Sequence, residues 1–184
     1  MKWLPFDRER WPLAALVITA AVLASVYVLE YVFYQAPCQM CWWQRYVYFA
    51  AGPLAMIAIA VRWQGASPSV MSLFSVALGL VFLVGFFIAS WHALFEWGLA
   101  PGPEGCVASA GAIPTDIKPS DMLSRPVAIP SCKEAMWRIP FKTDWGLSMA
   151  GLNALLSLFL AALSLWSATQ PRLRTDTANE PVQV

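Results

Sequence analysis

The stretch Pro37-Cys38-Gln39-Met40-Cys41-Trp42-Trp43-Gln44-Arg45 stands where one long apolar run has ended and another begins. Proline suits the first position of a helix, because its missing N–H would be unpaired there. A helix opening at Pro37 puts Cys38 and Cys41 in its first turn. Unpaired N–H groups and the positive end of the helix dipole then favour thiolate over thiol. Gln44 and Arg45 follow Cys41 by about one turn and share its face. The pattern thus sets a fixed cation under a cysteine at a helix start. A Cys-x-x-Cys pair serves as a redox disulfide, a structural disulfide or half a metal site, and the spacing alone does not choose. A c-type haem needs His after the second Cys, and Trp42 stands there instead.

Outward from this stretch, the apolar runs decide the fold class. A bilayer core about 30 Å thick takes about 20 helical residues to cross. Runs at about 12–32, 42–61, 70–94 and 145–166 qualify. With 184 residues and 59% hydrophobic content, no soluble domain is left over. The expectation is an all-α membrane protein, one domain over 1–184, forming a four-helix transmembrane bundle. The net charge of +1 says nothing useful about nucleic acid, and no nucleic-acid partner is expected. The chain has no phosphate-binding glycine loop, internal repeat or low-complexity tract.

All four cysteines, Cys38, Cys41, Cys106 and Cys132, lie outside the apolar cores, in or beside the segments at about 33–41 and 95–144. In a four-span protein these segments emerge on the same side. Structural cysteines would be scattered through the helices. Confinement to one side points to disulfide chemistry in an oxidising compartment. No metal is expected, because the second pair lacks the tight spacing of a zinc knuckle. An inert staple across the long loop stays open as the bland alternative for Cys106 and Cys132.

The flanks add detail. A positive start before the first run could mark a cleaved signal peptide, with Ala24-Ser25 as a cleavage point. The run's length and the nearby cysteine pair favour a retained helix. Gly52-Pro53 should kink the second span. Gly79 and Gly85 permit close packing of the third, which ends in Trp91, His92 and Trp97. Trp42, Trp43, Trp91 and Trp97 fit an interfacial belt. The long loop carries Pro101, Pro103, Pro114, Pro119, Pro126, Pro130 and Pro140, so it should be extended, with one helical turn near 120–123. Met136, Trp137, Ile139 and Phe141 are expected in the headgroup layer, and the polar tail from about 170 to 184 is expected to be disordered. Charge sets orientation weakly. Lys2, Arg8, Arg10, Arg62, Arg172 and Arg174 balance Arg45, Lys118, Arg125, Lys133, Arg138 and Lys142. Greater density near the helix ends favours the first set as cytoplasmic, and the cysteines agree by needing the oxidising side.

Taken together, these residues resemble the bacterial disulfide bond formation protein B (DsbB) family of inner-membrane thiol oxidases. The resemblance rests on Pro37-Cys38-x-x-Cys41 before the second span, Arg45, the Cys106/Cys132 loop, and Gly146-Leu147-Ser148-Met149 opening the last span. It implies a quinone-dependent protein-disulfide oxidoreductase of the inner membrane, with both termini cytoplasmic and the cysteines periplasmic. Its implied partners are a DsbA-like periplasmic thiol oxidase, membrane lipid and the respiratory quinone pool, ubiquinone or menaquinone. By position, Cys106 would form the mixed disulfide with the partner and Cys132 would be its loop mate. Electrons would pass to Cys38 and Cys41. Cys41 would be the thiolate facing quinone, beside Arg45, Gln44 and His92, and Gln44 stands where some members carry an acid. The chemistry also has a plain rationale. A loop pair gives access to a soluble protein, and a pair at the bilayer surface gives access to a lipid-soluble oxidant. The competing reading is a non-enzymatic four-helix scaffold with a stapled outer loop.

Overall fold

The computed structural model describes residues 9–107, 131–135, 137–139 and 146–170. The expectations for the first eight residues, for 120–123, for Met136 and Phe141 and for the tail beyond residue 170 lie outside them.

Helix α1 spans Trp11–Tyr31, α2 Gln39–Trp63 and α3 Pro68–Glu96. A helical turn, α4, follows at Glu104–Val107. Strands β1 (Arg138–Ile139) and β2 (Leu147–Ser148) precede the last helix, α5, at Met149–Thr169. The helices α1, α2, α3 and α5 are each long and apolar enough to cross a membrane. Leu13, Val17, Ile57, Leu80, Phe87 and Phe159 are exposed on their outer faces, as a lipid-facing surface requires. The chain is an all-α membrane protein of four spanning helices.

Caps, more than hydropathy, set the helix ends. Ser67 caps α3 by accepting the Val70 N–H, with Pro68 at the first helical position. Ser148 caps α5 by accepting the Gly151 N–H at 3.2 Å. This start lies beyond the 145 expected from the apolar run, because residues 147–148 are used first in a sheet. Helix α2 begins two residues later than a Pro37 start would give. Cys38 is its N-cap, with extended backbone (φ −75°, ψ 172°), and its sulfur accepts the Cys41 N–H at 3.2 Å. The helix then continues through Pro53.

The core lies between the helices. Trp11, Tyr48, Leu78, Phe82 and Leu160 are buried together with Ala15, Ala51, Ala55 and Ala161. Helix α3 packs most closely on α5 and also on α2. A Cβ at Gly85 would come 2.9 Å from Val47 on α2 and 3.2 Å from Ser157 on α5, so the missing side chain is what allows the approach. Hydroxyls tie the helices too: Trp11 Nε1 donates to Ser164 Oγ at 3.0 Å, and Ser72 Oγ to the Ala168 carbonyl at 2.8 Å.

Strands β1 and β2 pair antiparallel, Arg138 opposite Ser148 and Ile139 opposite Leu147. Arg138 Nη2 donates to the Glu96 carbonyl at the end of α3. This clip holds the chain leading into α5 against the end of α3, next to the cysteines.

Candidate functional site: two cysteine pairs at one end of the bundle

All four cysteines meet at one end of the bundle. Cys38, Cys106 and Cys132 are buried in one cluster with Met40 and Phe95, and Cys41 and Trp43 pack against it. Cys106 and Cys132 are joined by a disulfide. Cys38 and Cys41 carry free thiols, with their sulfurs 2.8 Å apart. The loop pair, expected to be presented to water, is instead seated on the helix pair: Cys106 is 1% and Cys132 2% exposed.

Cys38 sits where the α2 N-terminus offers its N–H groups, so a negative sulfur is favoured there. Its thiol is lowered from an ordinary value near 9 to about 5. The hydrogen bond from the Cys41 side chain is the main cause. It prevails over burial, and the His92 ring and the Cys41 backbone N–H add to it.

His92 lies between the pairs. Its Nε2 is 3.8 Å from the Cys38 sulfur, 3.2 Å from the Cys132 carbonyl oxygen and 3.5 Å from Glu96 Oε1. On the other side of the ring, Nδ1 is 2.8 Å from Gln44 Nε2. Gln44 Oε1 accepts from Asn153 Nδ2 at 2.6 Å, and Asn153 Oδ1 accepts from the Tyr48 hydroxyl.

Arg45 has partners the sequence did not suggest. It pairs with Glu30 of α1, and its guanidinium lies over the Tyr27 ring (5.3 Å) and the Trp42 ring (4.9 Å). Its charge is therefore largely answered by Glu30 and is not free to act on Cys41 alone. Trp42 is correspondingly a stacking partner as well as a boundary residue.

Beneath the pairs lies a cavity of about 710 Å³. Val22, Leu23 and Val26 of α1 and Leu152 and Leu156 of α5 form its apolar walls. Cys38, Cys41, Gln44, Arg45 and His92 line its polar end. Gln35 Oε1 in the same wall is buried with no hydrogen-bond partner among the described residues. The ligand atoms of Cys38, Cys41 and His92 lie within 4.8 Å of one another, a grouping that could hold a thiophilic metal. The hydrogen bonds of His92 oppose that use, because the nitrogen facing sulfur also faces a carbonyl, which accepts only a proton donor.

The sequence matches the family described as "Disulfide bond formation protein DsbB" over residues 7–167. The chain belongs to the DsbB family. A relative is an uncharacterized protein, RP370, of Rickettsia prowazekii (strain Madrid E), 23% identical over 152 residues and covering 80% of each chain. No solved structure matches. DsbB membership makes this a disulfide-forming membrane oxidoreductase, and its four spanning helices make it multi-pass.

Residues missed in the sequence include Glu30, Tyr48 and Asn153. Asn153 had a usable signal: an amide inside an apolar run must find a partner within the bundle. Glu30 had a weaker one, as an acid at the exit of the first run. Nothing in the sequence pairs either with its partner.

Proposed function

We propose that this DsbB-family protein reoxidises a DsbA-like periplasmic dithiol oxidase and passes the electrons to membrane quinone. The carrying observation is the stacking of a closed loop disulfide on an open Cys-x-x-Cys pair, above an apolar cavity. A scaffold needs only the staple. It has no use for a second pair held as thiols beside it.

The chemistry balances as follows. A thiolate of the reduced partner attacks Cys106, and the Cys106–Cys132 bond breaks as the mixed disulfide forms. The partner's second thiol releases Cys106, leaving the partner oxidised and the loop pair as a dithiol. The loop dithiol then reduces a Cys38–Cys41 disulfide by the same exchange. One S–S bond forms for each one broken, and two electrons and two protons move inward. Cys38 suits this exchange because its thiol is acidic, which makes it a good leaving group.

A quinone suits the cavity by size and polarity, and the unpartnered Gln35 Oε1 matches a ligand whose reduced form has hydroxyls to donate. When bound, it would supply the acceptor for two electrons and two protons. Arg45 and Gln44, with His92 beside them, would hold its polar head, and Cys41 would be the thiol that faces it. The headgroup, ubiquinone or menaquinone, would meet this polar end. We place the cysteine end on the periplasmic side of the inner membrane and the termini in the cytoplasm, since disulfides persist on the oxidising side.

The test mixes purified protein, a reduced thioredoxin-like partner and a soluble quinone, and follows quinone absorbance. Catalytic loss of quinone is expected. A scaffold would keep its disulfide and leave the quinone untouched. Impermeant thiol reagents on intact cells, after reduction, should label the cysteines; labelling only after inner-membrane disruption would reverse the orientation.

A further inference from the structure

The polar chain behind His92 has no part in the exchange described above. It runs from Tyr48 to Asn153 to Gln44 and ends on His92 Nδ1. Each link has a direction. The Tyr48 hydroxyl donates to Asn153 Oδ1, so that amide turns its nitrogen to Gln44. Asn153 Nδ2 donates to Gln44 Oε1, so Gln44 presents its own nitrogen to the ring. An amide nitrogen only donates. His92 Nδ1 must therefore carry a lone pair. The far side of the ring agrees independently, since Nε2 faces the Cys132 carbonyl, which only accepts.

We propose that Asn153, held by Tyr48 and acting through Gln44, is a positioning residue that fixes His92 as the neutral tautomer with its one proton on Nε2, aimed between the Cys38 sulfur and the Cys132 carbonyl. The same relay disfavours the imidazolium, because a proton on Nδ1 would meet the Gln44 N–H head-on. His92 then serves both pairs as a hydrogen-bond donor. It stabilises Cys38 as a thiolate without taking or giving a proton, and it holds Cys132 near. The same tautomer disfavours a metal on Cys38, Cys41 and His92, since no nitrogen lone pair then faces the sulfurs.

Among the described residues, the charged and titratable groups around the ring are Cys38 and Cys41 from the start of α2, Glu96 from α3, and Arg138 beyond Glu96 on β1. Glu134 and the Arg45–Glu30 pair stand further off around the cavity. The Gln44 amide nitrogen facing Nδ1 and the Cys132 carbonyl facing Nε2 decide which nitrogen is bare.

His92 is the single histidine of the chain, which makes the tautomer directly observable. Protein purified in detergent without a histidine tag, with isotope-labelled histidine, gives two ring-nitrogen resonances whose positions report protonation. The wild type at neutral pH should show a proton on Nε2 and none on Nδ1. Gln44→Glu replaces the donor with an acceptor and should put a proton on Nδ1, which calibrates the signal. Asn153→Leu frees Gln44 to turn over. It should move the tautomer toward Nδ1–H and raise the pH midpoint of Cys38 alkylation by about one unit, tenfold in the equilibrium. Tyr48→Phe should do the same to a smaller extent, and it decides the matter if Asn153→Leu does not fold.

An imidazolium or an Nδ1–H ring in the wild type overturns the proposal. So do variants that keep both the wild-type resonances and the wild-type alkylation midpoint. The inferred benefit to exchange rests on the oxidase reading, but the tautomer does not. Failure of all proteins, wild type included, to reduce quinone would count against the oxidase reading and leave the resonance result standing.

Discussion

Cys106 and Cys132 are closed into a bond, and the structure hides them against Met40 and Phe95. Cys38 and Cys41 are open thiols at the first turn of a membrane helix, with an N-cap, a neighbouring thiol and an imidazole around one sulfur. The loop pair therefore has packing but few polar partners, and the helix pair has the polar environment that stabilises a thiolate. Thiol–disulfide exchange runs fastest toward a good leaving thiolate. The difference between the pairs favours the inward direction that the proposed relay needs. It also shows that the described arrangement suits exchange between the pairs. Reaction of Cys106 with a soluble partner requires its sulfur to be uncovered first.

The largest effects should come from cutting the comparison in half. Cys106→Ser or Cys132→Ser should reduce turnover with the protein partner to background. Either should leave Cys38 and Cys41 open to reoxidation by quinone after chemical reduction. Cys41→Ser should abolish quinone reduction itself. Stopped-flow partner fluorescence and quinone absorbance separate the two half-reactions. Normal partner oxidation by Cys106→Ser would break the two-pair relay.

Next comes the acidity of Cys38. In the reduced protein its alkylation should rise through a midpoint of about 5 and then level off. Cys41→Ala removes the main hydrogen bond and should move that midpoint up toward the ordinary value near 9. The linkage has a definite sign. The folded thiol is more acidic than the unfolded one, so the reduced fold gains stability as pH rises between about 5 and 9. That contribution is full above the unfolded value and is lost as pH falls through the folded value. Reduced protein melted across this window should gain stability with pH in the wild type and gain far less in Cys41→Ala.

What could be read in the sequence follows the range of the interactions involved. The four spans were legible because burial in lipid needs long apolar runs, and nothing else in the chain has them. The cysteine end was legible because loops on one side of an even set of spans share a side. The caps at Cys38 and Ser148 were harder, since a cap depends on one residue's backbone angles and hydropathy averages over many. The strand clip, two residues long on each side, has no periodicity to detect. The partners of Arg45 are the instructive miss. Its spacing from Cys41 is local and visible, but its ion pair with Glu30 and its seat on Tyr27 come from another helix. The same holds for His92, whose partners are Cys38 and Gln44 from the start of α2 and Cys132 from the loop, with Asn153 of α5 behind Gln44.

That miss can be tested. Truncating one side of a buried ion pair costs about 3–5 kcal/mol, much of it for leaving the other charge unpaired. Arg45→Met should therefore destabilise the bundle, and adding Glu30→Gln should restore most of the loss. Arg45→Lys keeps the charge but loses the flat stacking face, worth about 0.5–1 kcal/mol on each ring. Thermal melts in detergent give the cycle. The quinone-dependent rate per folded molecule gives the rest. A fall of about tenfold or more in Arg45→Met but not in Glu30→Gln would mark Arg45 as acting on the cavity. An equal rate in both would leave it a structural anchor.

The smallest predicted effect bears most directly on the seating of one pair upon the other. A Cβ at Gly102 would overlap the Phe95 ring, and one at Gly105 would overlap the tip of the Gln39 side chain. Phe95 belongs to the cluster that holds Cys38, Cys106 and Cys132, and a ring wedged in a packed cluster has little room to move. Overpacking of this kind costs about 1–3 kcal/mol. Gln39 is exposed, so its amide can swing aside at little cost. Gly102→Ala should then loosen the seat of the loop disulfide and slow electron transfer from the loop pair to the helix pair severalfold. Gly105→Ala should change it little, and neither should alter reoxidation of the chemically reduced helix pair by quinone. Single-turnover kinetics started from a reduced loop pair would measure the step. Equal rates in both variants and the wild type would mean that the seat on Phe95 does not limit exchange, and that the two pairs meet through some other motion of the chain.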